Sequence, residues 1–133
     1  MSILQSFKKV NLNGAAPFMT ISAYGLTFNK TVLEKMSYPD YVSLFADYPN
    51  YLLAIQTTDD TTEIPFCISK SNRVNARINN KDFARLLLGL LGTKEEQVSF
   101  KAPGVWHPEE KVFVFDLKEA QKIVGPNRTE SSI

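Results

Sequence analysis

The reading of the chain turns on residues 78–92, Ile78-Asn79-Asn80-Lys81-Asp82-Phe83-Ala84-Arg85-Leu86-Leu87-Leu88-Gly89-Leu90-Leu91-Gly92. Phe83, Leu86, Leu87, Leu90 and Leu91 recur at the i, i+3, i+4, i+7, i+8 spacing of one face of an α-helix. Asn79 or Asn80 is placed to cap the first turn through its side-chain oxygen, and Gly92 to take the left-handed position that ends the helix. An apolar face of that width is stable only when covered. The expected cover is a sheet built from the rest of the chain.

Outward from this helix, the bounds are those of an ordinary domain. A chain of 133 residues buries a sufficient core without disulfide or metal staples. A formal net charge of +1 gives no global field toward nucleic acid or anionic lipid, so any such role needs a local basic patch. Cys67 is the single cysteine, which suits a reducing compartment. No apolar run approaches the ~20 residues of a membrane-spanning helix. The opening residues put Lys8 and Lys9 after a very short apolar run, the reverse of a secretory signal. The expectation is a cytoplasmic protein with no membrane contact.

In chain order, residues 1–17 read as an arm or edge strand and a loop. Residues 18–24 alternate as a half-buried strand, with Gly25 as a bend or bulge before Leu26-Thr27-Phe28. Asn29 caps a short helix over 30–36. Residues 41–47 and 51–57, joined by Tyr48-Pro49-Asn50, form a hairpin. Residues 64–68 form a short strand that Pro65 places at a sheet edge, and 74–78 another before the leucine helix. Residues 97–101 alternate, 102–110 read as a loop, and 112–115 as a strand covered on both faces. Asp116 with Glu119 resembles a capping box and opens a third helix to about residue 124.

The predicted fold is therefore α+β: a mainly antiparallel sheet with three helices in one domain over residues 1–126, then a polar tail, 127–133. The element order strand, Asn-Lys, helix, hairpin occurs twice, at Asn29-Lys30 and Asn80-Lys81. It predicts two β-α-β-β repeats, 18–68 and 74–124, forming a pseudo-two-fold molecule.

Gly25-Leu26-Thr27-Phe28-Asn29-Lys30-Thr31-Val32-Leu33-Glu34-Lys35-Met36 and the hairpin that follows, to Ile55, resemble the AbrB/MazE type of bacterial DNA-binding unit. The resemblance implies a strand, a short helix and a hairpin interleaved in a dimeric barrel that presents basic residues to DNA. The family's Ile-Pro helix start is Phe28-Asn29 here, and its Gly-Asp is Asp40-Tyr41. The chain as a whole resembles small phage or prophage proteins of Gram-positive bacteria.

Charge is segregated along the sequence. Residues 36–69 hold five acids, Asp40, Asp47, Asp59, Asp60 and Glu63, and no Lys or Arg; residues 70–85 hold five bases against Asp82. Lys70, Arg73, Arg77 and Lys81 are the candidate nucleic-acid-binding residues, able to position phosphates. The plainer reading is a solvated basic face balancing an acidic one. Tyr48 and Tyr51 flank the hairpin turn and are candidates for protein contact, including assembly into a homo-oligomer.

Convergent chemistry is not visible. His107, between Trp106 and Pro108, has no partner nucleophile, and one His with one Cys cannot furnish a zinc set. It reads as a loop histidine, with Trp106 a lid on the core. Cys67, between Phe66 and Ile68, reads as a buried small hydrophobe. No phosphate loop, dinucleotide fingerprint or other cofactor motif occurs. The sequence points to a non-enzymatic bacterial or phage accessory protein, with no catalytic residues, metal or cofactor. It acts by binding, with nucleic acid as the preferred partner and a tyrosine-bearing interaction or assembly module as the alternative.

Overall fold

The computed structural model describes residue 3 and residues 16–69, 74–93 and 98–124. In the first part, β1 (Phe18–Ser22) and β2 (Gly25–Asn29) form a hairpin, followed by α1 (Lys30–Met36). Next come the hairpin β3 (Tyr41–Asp47) and β4 (Leu52–Thr58), then β5 (Ile64–Pro65) and β6 (Cys67–Ile68). The second part runs β7 (Asn75–Ile78), α2 (Lys81–Leu90), β8 (Val98–His107), β9 (Val112–Asp116) and β10 (Gln121–Val124).

Every strand pair is antiparallel, in the order β5-β3-β4-β9-β8-β1-β2-β7-β6, with β10 added beside β8. The two ends of that order, β5 and β6, are consecutive in the chain and separated by Phe66 alone. One edge is thus tied to the other, and the sheet curls into a nearly closed barrel. The inward residues alternate with outward ones along each strand, as closure requires. Met19, Ile21, Leu26, Phe28, Leu53, Ile55, Phe113 and Phe115 fill the interior. Rings cross it in a chain: Phe66 to Phe28 at 5.1 Å, Phe28 to Phe115 at 5.5 Å, Phe115 to Phe113 at 5.4 Å and Phe113 to Trp106 at 5.2 Å. Edge and offset contacts of this kind add to simple area burial.

The helices sit at opposite ends. The β2–β7 register pairs Asn29 with Asn75 and Leu26 with Ile78. α1 leaves from the first end and α2 from the second. α1 packs on β2 and β7 through Val32, Leu33 and Met36, and α2 packs on β1 and β2. Both N-caps are asparagines: the Asn29 side chain accepts from the Val32 N–H, and that of Asn80 from the Phe83 N–H.

Several expectations need correction. The described residues contain two α-helices, not three, and ten strands in a barrel-like sheet. Asp116 does accept from the Lys118 N–H, but the turn is a single 3₁₀ turn, Leu117–Glu119, and Ala120 is extended. The chain then joins β8 as β10 because its backbone groups find a ladder there, which local capping chemistry cannot reveal. The expected loop 102–110 is mostly strand, since β8 runs unbroken to His107. β9 is not covered on both faces; Phe113 and Phe115 are buried while Val112 and Val114 are half-buried. Gly25 is no bulge: the chain reverses before it, and its backbone meets Ile78 closely enough that a Cβ would lie 2.5 Å from the Ile78 carbonyl oxygen. The strand 64–68 is split at Phe66. On α2 the buried stripe is Ala84, Leu87 and Leu88, and Leu86 is exposed.

The repeat unit also differs from the expected β-α-β-β. Exchanging β1 with β5–β6, β2 with β7, β3 with β8 and β4 with β9 maps the strand order onto itself. The symmetric unit is β-β-α-β-β, residues 18–58 and 64–116, with β10 outside it. The tail 127–133 and most of the expected N-terminal arm lie outside the described residues.

Candidate nucleic-acid interface

The pairing registers define what faces outward. Across one wall, Thr27 is opposite both Arg77 and Thr20, and Thr20 and Gln121 are both opposite Lys101. The result is one outward row, Arg77-Thr27-Thr20-Lys101-Gln121, with the two cations about 14 Å apart across three strand spacings. The flanking outward rows hold Asn75, Asn29 and Phe18 on one side and Ser22 and Ser99 on the other. None of these row residues carries a carboxylate, but Glu119 stands at the Lys101 end, sharing a hollow with Phe18, Lys101 and Gln121.

Two aromatic–cation pairs border the wall. Lys101 Nζ sits 3.9 Å from the Phe18 ring centroid, and Lys81 Nζ is 6.0 Å from that of Tyr24. Tyr24 is 55% exposed. Asn29 fixes one corner: its Oδ1 accepts from the Phe18 N–H at 3.1 Å and its Nδ2 donates to the Ala16 carbonyl at 2.9 Å.

Of the four basic residues singled out by sequence, Arg77 and Lys81 are exposed, on β7 and in the first turn of α2. Lys70 and Arg73 lie outside the described residues. Sequence reasoning missed Lys101, Thr20 and Thr27. They are remote from 70–85 in the chain, and only the strand register brings them beside Arg77. The alternating Gln97-Val98-Ser99-Phe100-Lys101 was the available signal, since it gives Lys101 the face opposite Phe100.

The opposite wall has a different surface. Phe45 is opposite Ala54, Ala54 opposite Val114 and Val114 opposite Val105. This outward row is apolar, and its ends Phe45 and Val105 are 52% and 60% exposed. Tyr48 is exposed beside it in the hairpin turn, but Tyr51 is half-buried with its ring against the core, so the two tyrosines do not form one patch.

The remaining candidates stand apart from both walls. His107 is exposed at the end of β8, opposite Val112, and belongs to a strand, not a loop. Trp106 is half-buried against Phe113. Cys67 is exposed, contrary to its expected burial, because it points outward opposite Arg77 while Phe66 turns in. Asp60 accepts from the Thr62 hydroxyl at 2.6 Å and the Thr62 N–H at 2.9 Å. Those two bonds, the hydroxyl's foremost, hold its carboxyl below the ordinary aspartate value. Among the described residues no three metal-ligating side chains converge, and no helix is long and apolar enough to cross a membrane.

Comparison with protein-family models, with curated proteins and with solved structures gave no match. The functional reading therefore rests on the surfaces themselves.

Proposed function

We propose that this protein is a non-enzymatic nucleic-acid-binding accessory protein of a bacterial or phage cytoplasm. The observation that carries the reading is the carboxylate-free outward row Arg77-Thr27-Thr20-Lys101-Gln121. Its two cations, Arg77 and Lys101, about 14 Å apart, can each contact a phosphate, with at least one further phosphate between them. Hydroxyl and amide side chains between them are neutral hydrogen-bonding groups that tolerate a backbone lying across the wall. Tyr24, 55% exposed at the margin, supplies a ring face on which a base stacks. Lys70 and Arg73 directly precede β7 in sequence and add to the same basic segment.

The test is binding to single- and double-stranded DNA and RNA fragments at low and moderate salt. The expected result is micromolar affinity that falls steeply with salt, since counterions are released from the phosphates. Arg77→Glu with Lys101→Glu should weaken binding by at least about tenfold, and Arg73→Glu should add to the loss. Absence of binding at low salt overturns the reading.

A second reading is favoured by the opposite wall. The exposed row Phe45-Ala54-Val114-Val105 suits a protein contact, including a homo-oligomer, with Tyr48 at its margin. Phe45→Asp with Val105→Asp should reduce the scattering mass if a second copy covers it. The same pair should leave nucleic-acid binding intact.

A further inference from the structure

The strands of the polar wall, β7, β2, β1 and β8, each have a hydrogen-bonded neighbour on both sides. Between Arg77 and Lys101 they turn out only the short side chains of Thr27 and Thr20. A protein that reads a duplex sets a helix or a two-stranded ribbon into a groove, and a wall of paired strands with short side chains offers neither. We infer, on the nucleic-acid reading above, that this wall selects single-stranded nucleic acid over duplex, with one unpaired base stacked on Tyr24.

The first support is how Tyr24 is presented. It lies in the β1–β2 reversal and is 55% exposed. Its N–H donates to Ser22 Oγ at 3.2 Å, and that hydroxyl donates to the Gly25 carbonyl at 3.4 Å. The ring therefore stands on a fixed turn, and little ordering is lost when a base meets it. The second is the charge around it. Lys81 Nζ lies over the ring, 6.0 Å from its centroid. The turn abuts Asn79, since a Cβ at Gly25 would lie 3.5 Å from the Asn79 Cα, and Asn79 is two residues from both Arg77 and Lys81. An aromatic ring among phosphate-binding cations is the combination that single strands use.

The third is the chemistry of the partner. In a duplex both faces of a base are covered by its neighbours, so freeing one to meet Tyr24 costs a few kcal/mol of unstacking and unpairing, whereas a single strand gives up far less. Glu119 stands at the Lys101 end, so the closest phosphates belong at Arg77 and Lys81. Asp82 follows Lys81 in the first turn of α2, but a helix rotates by about 100° per residue, so the two side chains leave it in different directions.

The experiment is fluorescence anisotropy of the full chain with labelled strands of about 15 nucleotides, as DNA and as RNA, and with the matching duplexes at one low salt concentration. A single strand should bind at least about tenfold tighter than its duplex. Tyr24→Ala should weaken strand binding about tenfold and leave duplex binding unchanged, while Tyr24→Trp should keep strand binding. An abasic strand, which retains the phosphates, should bind the unaltered chain and Tyr24→Ala alike. Duplex binding as tight as strand binding overturns the inference, as does undiminished strand binding by Tyr24→Ala, and either result leaves the nucleic-acid reading standing. Absence of binding by strand and duplex together overturns both.

Discussion

The two halves of the barrel share one strand plan and differ most at one strand, with β10 added beside β8 alone. In the first half, β1 continues along β8 without interruption, and the chain before it is tied down: Gly104 N–H donates to the Pro17 carbonyl and Asn29 Nδ2 to the Ala16 carbonyl. In the second half the counterpart breaks at Phe66, and the chain before it turns through a loop held by Asp60 and Thr62. The intact wall carries the polar row with Arg77 and Lys101; the broken one leaves an open cleft at the seam where β5 and β6 meet. A symmetric scaffold supplies stability twice, so one of its two copies can give up a ladder to create a concavity.

Five substitutions probe that contrast, beginning with the largest effect. Gly25→Val acts on the tight β1–β2 reversal, at a φ of +152° that disfavours side chains and with a Cβ 2.5 Å from the Ile78 carbonyl oxygen. Backbone strain and a fixed backbone neighbour together should cost about 4 kcal/mol or prevent folding, measured by urea denaturation. A cost below about 1 kcal/mol would show that the first hairpin is not held as rigidly as the intact wall implies.

Next is Phe66→Ala, which acts at the seam. Phe66 is 3% exposed and packs on Phe28 at 5.1 Å, so truncation should cost about 3 kcal/mol by cavity formation. The same variant should speed hydrogen exchange of β5 and β6 more than of β1 and β8, because its strand has the shorter ladders. Uniform exchange across both halves would erase the contrast.

These effects also explain what the sequence could and could not say. The Tyr41–Asp47 and Leu52–Thr58 hairpin was readable, because β-rich runs flank Pro49-Asn50 and the pairing is local. Both asparagine caps were readable for the same reason. Closure of the barrel was not: it depends on β2 meeting β7 across about fifty residues and β4 meeting β9 across about sixty, and no local pattern encodes such pairings. The C-terminal strand was misread because Asp116 begins a real capped turn whose continuation is decided by a free edge of β8. At the candidate interface, Arg77 and Lys81 were legible as charge, but Lys101 joins Arg77 only through the register. Cys67 was misassigned because its apolar neighbours suggested burial; with Phe66 turned in, a period of two puts Cys67 outward.

A smaller effect compares the caps. Asn29 accepts from both Val32 and Phe18 N–H groups and donates to Ala16, joining helix, strand and the chain before it. Asn80 caps α2 through a single 2.9 Å bond from Phe83. Asn29→Ala should therefore cost about 2 kcal/mol and Asn80→Ala about 1 kcal/mol, read from thermal or urea unfolding. Equal costs would mean that the ties to Phe18 and Ala16 contribute nothing, and that the first half is intact for reasons of pairing alone.

The smallest effect is electrostatic and lies in the loop that leads into the seam. The Thr62 hydroxyl and N–H hold the Asp60 carboxylate in its charged form. A carboxyl depressed in the folded state adds stability above its unfolded value, and that contribution disappears as pH falls through the folded one. Thr62→Val removes the larger of the two bonds and keeps the backbone one. The Asp60 titration, followed by carboxyl-carbon NMR, should move up toward the ordinary aspartate range while the unfolding midpoint at neutral pH changes little. An unmoved titration would mean that the backbone bond alone organises the loop. The chain before β5 would then be held through the Thr62 N–H, whereas the chain before β1 is held by the Gly104 N–H and the Asn29 side chain.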